Sequence, residues 1–125
     1  MGELLHARLR VSDMEASVEW FEKLFDFEVI SKSISPDGNQ LVFMELPGED
    51  TKLELAYSDD FGPIDLQEDL FHLAFAIDSM EKFGEKIAAE GVEFSWGPIT
   101  GGSGRQMAFV DHPDGYEIEI IETEV

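Results

Sequence analysis

The sequence predicts an α+β protein built from two tandem βαβββ modules, forming a curved mixed sheet with its helices on the convex side. Three observations carry that expectation: a self-match at constant spacing, the same order of strand-period and helix-period segments in each copy, and turn signals wherever one period gives way to the next. Residues 4–15, "LLHARLRVSDME", align without a gap on residues 70–81, "LFHLAFAIDSME", so that His6 falls on His72, Met14 on Met80 and Glu15 on Glu81 at an offset of 66. Farther along, "LPGEDTKLEL" (46–55) matches "HPDGYEIEI" (112–120): Pro47 falls on Pro113, and one residue fewer then brings Glu54 onto Glu119. Two copies are too few for a solenoid and suit a duplicated globular unit. The chain reads as one domain, 1–125, with module one at about 4–58, an acidic linker "SDDFGPIDLQED" at 58–69 and module two at about 70–122.

Each element has its own justification. In "LLHARLRV", Leu5, Ala7, Leu9 and Val11 share one face of a strand, and His6, Arg8 and Arg10 share the other. Ser12-Asp13-Met14-Glu15 reads as a capping box with Ser12 as the cap, and the helix it opens runs to about Phe25 on a stripe of Met14, Val18, Phe21 and Phe25. Strands follow at about 27–34, 40–46 and 52–57, the first two joined by the turn "SPDGN". Module two repeats the order: a strand at 70–77, a helix at 79–90 entered by Asp78 and stopped by Gly91, and strands near 92–96, 105–111 and 116–122.

Composition excludes several functions. The chain has no cysteine, which removes disulfides, thiolate metal sites and cysteine nucleophiles. Its 28 acids against 8 bases give a net charge of −20, a surface that repels nucleic acid and anionic membranes. No segment approaches the roughly 20 apolar residues needed to cross a bilayer. The N-terminus, with an acid at Glu3, is strand-like and unlike a signal peptide. The expectation is a soluble, cytoplasmic protein with no nucleic-acid or membrane partner.

His72 stands in the apolar run "LFHLAFAI", where a titratable ring must find a partner. Strand parity suggests one. In "KLELAY", Leu53, Leu55 and Tyr57 face one side and Glu54 the other; in "YEIEII", Tyr116, Ile118 and Ile120 share a face opposed by Glu117 and Glu119. Each module thus offers one His from its first strand and one Glu from its last, on the face away from the helix. Two imidazoles and two carboxylates suit a divalent first-row cation such as Ni, Zn, Co, Mn or Fe, whose charge the two carboxylates balance. Glu117 and Glu122 are read as solvated strand carboxylates, and His112, in the "DHPDG" turn without a counterpart, as a surface residue.

The paired modules and the order His6, Glu54, His72, Glu119 resemble the vicinal oxygen chelate superfamily. Within it, "LLHARLRVSDMEASVEWFEKLFDFEV", "KLELAY", "FHLAFAID", "GPITGG" and "AFVDHPDGYEIEIIE" are similar to a short bacterial glyoxalase I, from Leu4 to Glu122. Glu54 discriminates: methylmalonyl-CoA epimerases tend to carry Gln there, and fosfomycin-resistance transferases use only three protein ligands. The resemblance implies a metal-dependent isomerase acting on the hemithioacetal of a 2-oxoaldehyde and a thiol such as glutathione. It assigns His6, Glu54, His72 and Glu119 to one metal per site (Ni, Zn, Co or Mn), Glu119 to proton abstraction and Glu54 to the opposite face of the enediolate. It further implies a homodimer whose sites draw ligands from two subunits.

For the thiol's carboxylates the resemblance offers Arg10, on the His6 face, and Arg105, four residues before Phe109, since a guanidinium fork suits a carboxylate. Ser58 and Thr100 occupy further substrate positions, but glutathione-using relatives often read Asn and Lys there, which leaves the thiol's identity open. "GPITGGSG" lacks phosphate-loop spacing and reads as a mobile substrate loop. Two alternatives stand beside the isomerase: a methylmalonyl-CoA epimerase-like enzyme, and a non-catalytic drug- or small-molecule-binding resistance protein of the same superfamily.

Overall fold

The computed structural model describes residues 1–123, which fall into two compact units, Met1–Asp65 and a second beginning at Leu66. The division lies inside the acidic stretch. Each unit is a βαβββ module with its own four-stranded mixed sheet.

Unit one runs β1 (His6–Arg10), α1 (Met14–Phe25), β2 (Glu28–Ile34), β3 (Gln40–Glu45) and β4 (Lys52–Tyr57), with sheet order β1-β4-β3-β2. β1 pairs parallel with β4; the other pairings are antiparallel. A parallel pair needs a long crossover, here supplied by α1 and the two intervening strands. α1 packs its apolar stripe against β4: Phe21 and Leu24 are fully buried, as are Leu9, Met44 and Leu55 on the sheet. Burying a side chain of this size contributes about 1.5–3 kcal/mol, so this layer holds the unit together. The helix ends where Asp26 adopts φ 61°, its N–H returning to the carbonyls of Glu22 and Phe21.

Unit two runs β5 (His72–Ile77), α2 (Met80–Ala89), β6 (Trp96–Thr100), β7 (Gln106–Asp111) and β8 (Glu117–Glu122), with order β5-β8-β7-β6 and β5 parallel to β8. Phe83 and Ile87 of α2 are buried with Val110, Ile118 and Ile120 of the sheet. Gly91, at φ 74°, follows the end of α2 as expected. Among the described residues, no helix is long and apolar enough to cross a membrane.

Several expectations change. Both helices start one residue later than predicted: Asp13, not Ser12, caps α1 by accepting from the Ala16 amide at 3.0 Å, and Ser79, not Asp78, caps α2 by accepting from Lys82 at 3.2 Å. Each junction holds two adjacent cap-competent residues, and in each the second accepts from the amide three residues on. β5 begins at His72, leaving Leu70 and Phe71 exposed before it.

The strand expected near 92–96 lies instead at Trp96–Thr100, so "GPIT" is strand rather than loop. Gly and Pro inside it read as breakers, yet an edge strand with a bulge accepts both. The register shifts between Trp96 and Ile99, and a Cβ on Gly97 (φ 77°) would meet the Met107 carbonyl at 2.8 Å.

His112 is not a surface residue. The residue is 2% exposed, its ring lies edge-on to Tyr116, and its Nδ1 accepts from the Asp114 amide at 2.9 Å. Burial lowers its pKa to about 4, against the opposing pull of Asp114. Nor are Glu117 and Glu122 merely solvated: Glu117 Oε1 accepts from the Asp69 amide at 2.9 Å, and Glu122 Oε2 accepts from Met80 at the start of α2 at 2.8 Å.

Candidate functional site

In unit one the face of the sheet away from α1 carries His6, Arg8, Phe43 and Glu54. Arg8 lies directly across from Glu54 in the parallel β1–β4 register, and Phe43 lies across from Glu54 on the other side. His6 is one step diagonal to the carboxylate, with Nε2 at 3.9 Å from Glu54 Oε1. The Phe43 ring stands edge-on to the imidazole, centroids 5.3 Å apart at 84°, and limits its rotation. Glu54 is buried, 4% exposed at the side chain, whereas His6 is 42% exposed. A buried carboxylate needs a counter-charge, and Arg8 supplies it: its Nε donates to Glu54 Oε1. That hydrogen bond raises the Arg8 pKa above its ordinary value, with partial burial working against it.

Unit two repeats the pattern on the face away from α2. His72 Nε2 lies 3.3 Å from Glu119 Oε1, and Phe109, across from Glu119, stands edge-on to the His72 ring at 5.6 Å and 90°. The strand residue directly opposite Glu119 is Ala74, where module one has Arg8. Among the described residues, the one ion-pair partner of Glu119 is His72.

Both pairs offer the nitrogen and oxygen donors a divalent cation takes. Two such donors, each about 2.1 Å from a zinc-like ion, stand about 2.9–3.4 Å apart for bond angles between square and tetrahedral. The His72/Glu119 pair already has that spacing. The His6/Glu54 pair is wider, on the carboxylate that also carries the guanidinium. Among the described residues no three His, Asp or Glu side chains gather at one point, so the predicted ligands form two pairs, one in each module.

The predicted substrate residues also divide by module. Arg10 and Ser58 line one cavity of about 270 Å³ with Tyr57, Phe61 and Gly62. There Arg10 Nη2 donates to the Gly62 carbonyl at 2.7 Å and the guanidinium lies over the Phe61 ring at 4.7 Å, while Ser58 Oγ accepts from the Asp60 amide at 3.1 Å. Thr100 ends β6 opposite Gln106, and the exposed Arg105 precedes that residue, its carbonyl accepting from Gly101 at 2.8 Å. Sequence reasoning missed Phe43 and Phe109, although the offset of 66 relates them too, and it missed the Arg8–Glu54 contact.

Two βαβββ modules, each setting one histidine against one glutamate from parallel terminal strands, define a paired-module class of protein. The chain belongs to the Glyoxalase/Bleomycin resistance protein/Dioxygenase superfamily, whose description matches residues 3–120. It is 32% identical to the lactoylglutathione lyase of Escherichia coli O157:H7 over 124 residues, which cover 95% of this chain and 91% of that one. Glyoxalase I from Zea mays superposes with a TM-score of 0.85 at 27% identity, covering 98% of this chain and 45% of the maize chain, so this chain spans about half of that protein. The trypanothione-dependent glyoxalase I of Leishmania major has a TM-score of 0.80 at 26% identity, covering 98% of this chain and 87% of the other.

Proposed function

We propose that the protein is a glyoxalase I-like enzyme that isomerises the hemithioacetal of a 2-oxoaldehyde and a thiol, glutathione or a relative of it, to a 2-hydroxyacyl thioester. The observation that carries this reading is the repeated pair: an imidazole Nε2 within 3.9 Å of a carboxylate in module one and within 3.3 Å in module two, at matched strand positions. Relatives named for this reaction, in bacteria and beyond, support it.

The reaction moves one proton from the thiol-bearing carbon to its carbonyl neighbour, with no net oxidation and with the thiol left in place. It therefore needs a base, a route for returning the proton and stabilisation of the oxygens between the two events. His6, Glu54, His72 and Glu119 would hold one divalent cation of the Ni, Zn, Co or Mn kind, which when bound supplies Lewis-acid stabilisation of that charge. Glu119 carries no guanidinium and is the better placed carboxylate to take the proton. Glu54 serves the opposite face. Phe43 and Phe109 keep the two imidazoles oriented. Arg10 and Arg105 would hold the thiol's carboxylates in a homodimer whose sites take one pair from each subunit.

The test is metal analysis of the purified protein, then an assay of hemithioacetal isomerisation with each of the four metals. Wild-type protein should bind a divalent cation and convert the adduct, and the His6→Ala, His72→Ala double variant should do neither. Unchanged metal stoichiometry in the double variant would refute the assignment.

A further inference from the structure

The two modules differ at one position that matters to a cation. Arg8 and Ala74 correspond at the repeat offset, and each sits directly across its parallel strand pair from the module's glutamate. In module one, Arg8 Nε and His6 Nε2 both face the same carboxylate atom, Glu54 Oε1. That oxygen is the one a cation bound to His6 would use, and a guanidinium already occupies it. In module two the equivalent oxygen of Glu119 faces His72 with no arginine opposite. The mobility of the partners is also unequal: the Glu54 side chain is 4% exposed, whereas Arg8 is 50% exposed and has room to swing into solvent.

We propose that Arg8 is a built-in competitor for the divalent cation at Glu54, satisfying this buried carboxylate in the metal-free protein and leaving it when metal enters. The inference rests on the proposed metal assignment and adds a regulatory consequence to it. A cation arriving at the His6/Glu54 pair meets a neutralised ligand and a like charge, so part of its binding free energy goes into releasing Arg8. At the His72/Glu119 pair no such cost exists. The site therefore fills from the module-two side, and metal affinity is set by a residue that is not itself a ligand. Arg8 is a positioning residue for Glu54, and in the metal-free state it also spares the chain an uncompensated buried charge.

The experiment is calorimetric titration of chelator-treated protein with Ni²⁺ and with Zn²⁺, together with the change in Tm that each metal produces. Arg8→Gln, which keeps a donor and loses the charge, should bind about tenfold tighter or better, and metal should raise its Tm more than it raises that of the wild type. Ala74→Arg, placed at an exposed position, should weaken binding by a similar factor because it installs the missing competitor beside Glu119. Binding by Arg8→Gln where the wild type binds too weakly to measure also supports the proposal. Arg8→Gln affinity within about twofold of wild type, or weaker, overturns it while leaving the metal assignment standing. Absence of binding in wild type and Arg8→Gln alike overturns both. If Arg8→Gln does not fold, Ala74→Arg carries the test alone, and unchanged affinity there overturns the proposal.

Discussion

Acidification should destabilise this protein through His112, a residue outside the candidate site. The residue is buried and its Nδ1 accepts a hydrogen bond from the Asp114 amide, so the ring must be neutral in the fold. Burial lowers the folded pKa from 6.5 to about 4, while the Asp114 carboxylate, 3.9 Å from Nδ1, opposes the shift only in part. Because the folded value lies below the unfolded one, the unfolded chain binds a proton near pH 6.5 that the native chain refuses until about pH 4. The stabilisation is complete above that window and is lost progressively on descending through it. At about 1.4 kcal/mol per pKa unit the loss is on the order of 3 kcal/mol, a large part of a typical domain's 5–15 kcal/mol.

The assay is urea denaturation of metal-free protein between neutral pH and about pH 4, for wild type and His112→Asn. Asn keeps an acceptor for the turn amide but does not titrate. The acidic surface titrates alike in both proteins and cancels in their difference. The stability advantage of wild type over variant should shrink by about 3 kcal/mol across the window. A difference independent of pH would refute the burial argument.

Two further outcomes bear on the site. Mixing inactive His6→Ala with inactive His72→Ala protein should restore part of the isomerase activity after subunit exchange, since one site of each hybrid would then be intact; persistent inactivity in proven heterodimers would place the ligands within one chain. Arg10→Ala and Arg105→Ala should each raise KM several-fold or more at unchanged metal content, with kcat falling less than kcat/KM, because the lost contact is shared by ground and transition states. Wild-type KM in both variants across the thiol adducts tested would remove the arginines from the substrate site.

Much of this molecule is decided by local pattern. The repeat, strand parity and amphipathic helical stripes are properties of near neighbours, and they suffice for two βαβββ modules and for a His and a Glu on the same face of each sheet. The offset also couples Phe43 to Phe109, so even the rings flanking the imidazoles were legible once the repeat was followed through.

What tertiary structure alone decided depends on register, edges and burial. Parity places Arg8 and Glu54 on one face, but only the parallel register sets them directly opposite, 46 residues apart in sequence, and so turns a surface base into the counter-ion of a buried acid. Trp96–Thr100 could be a strand despite Gly97 and Pro98 because it lies at a sheet edge, where a bulge leaves no ladder hydrogen bond to be missed. Ser12 and Asp13 are both cap-competent residue types, and the folded helix takes Asp13, whose side chain accepts from the Ala16 amide. His112 had the composition of a turn residue and became a buried one because the turn folds back over its own ring. The first two of these outcomes are fixed by distances between segments far apart in the chain, which periodicity does not encode.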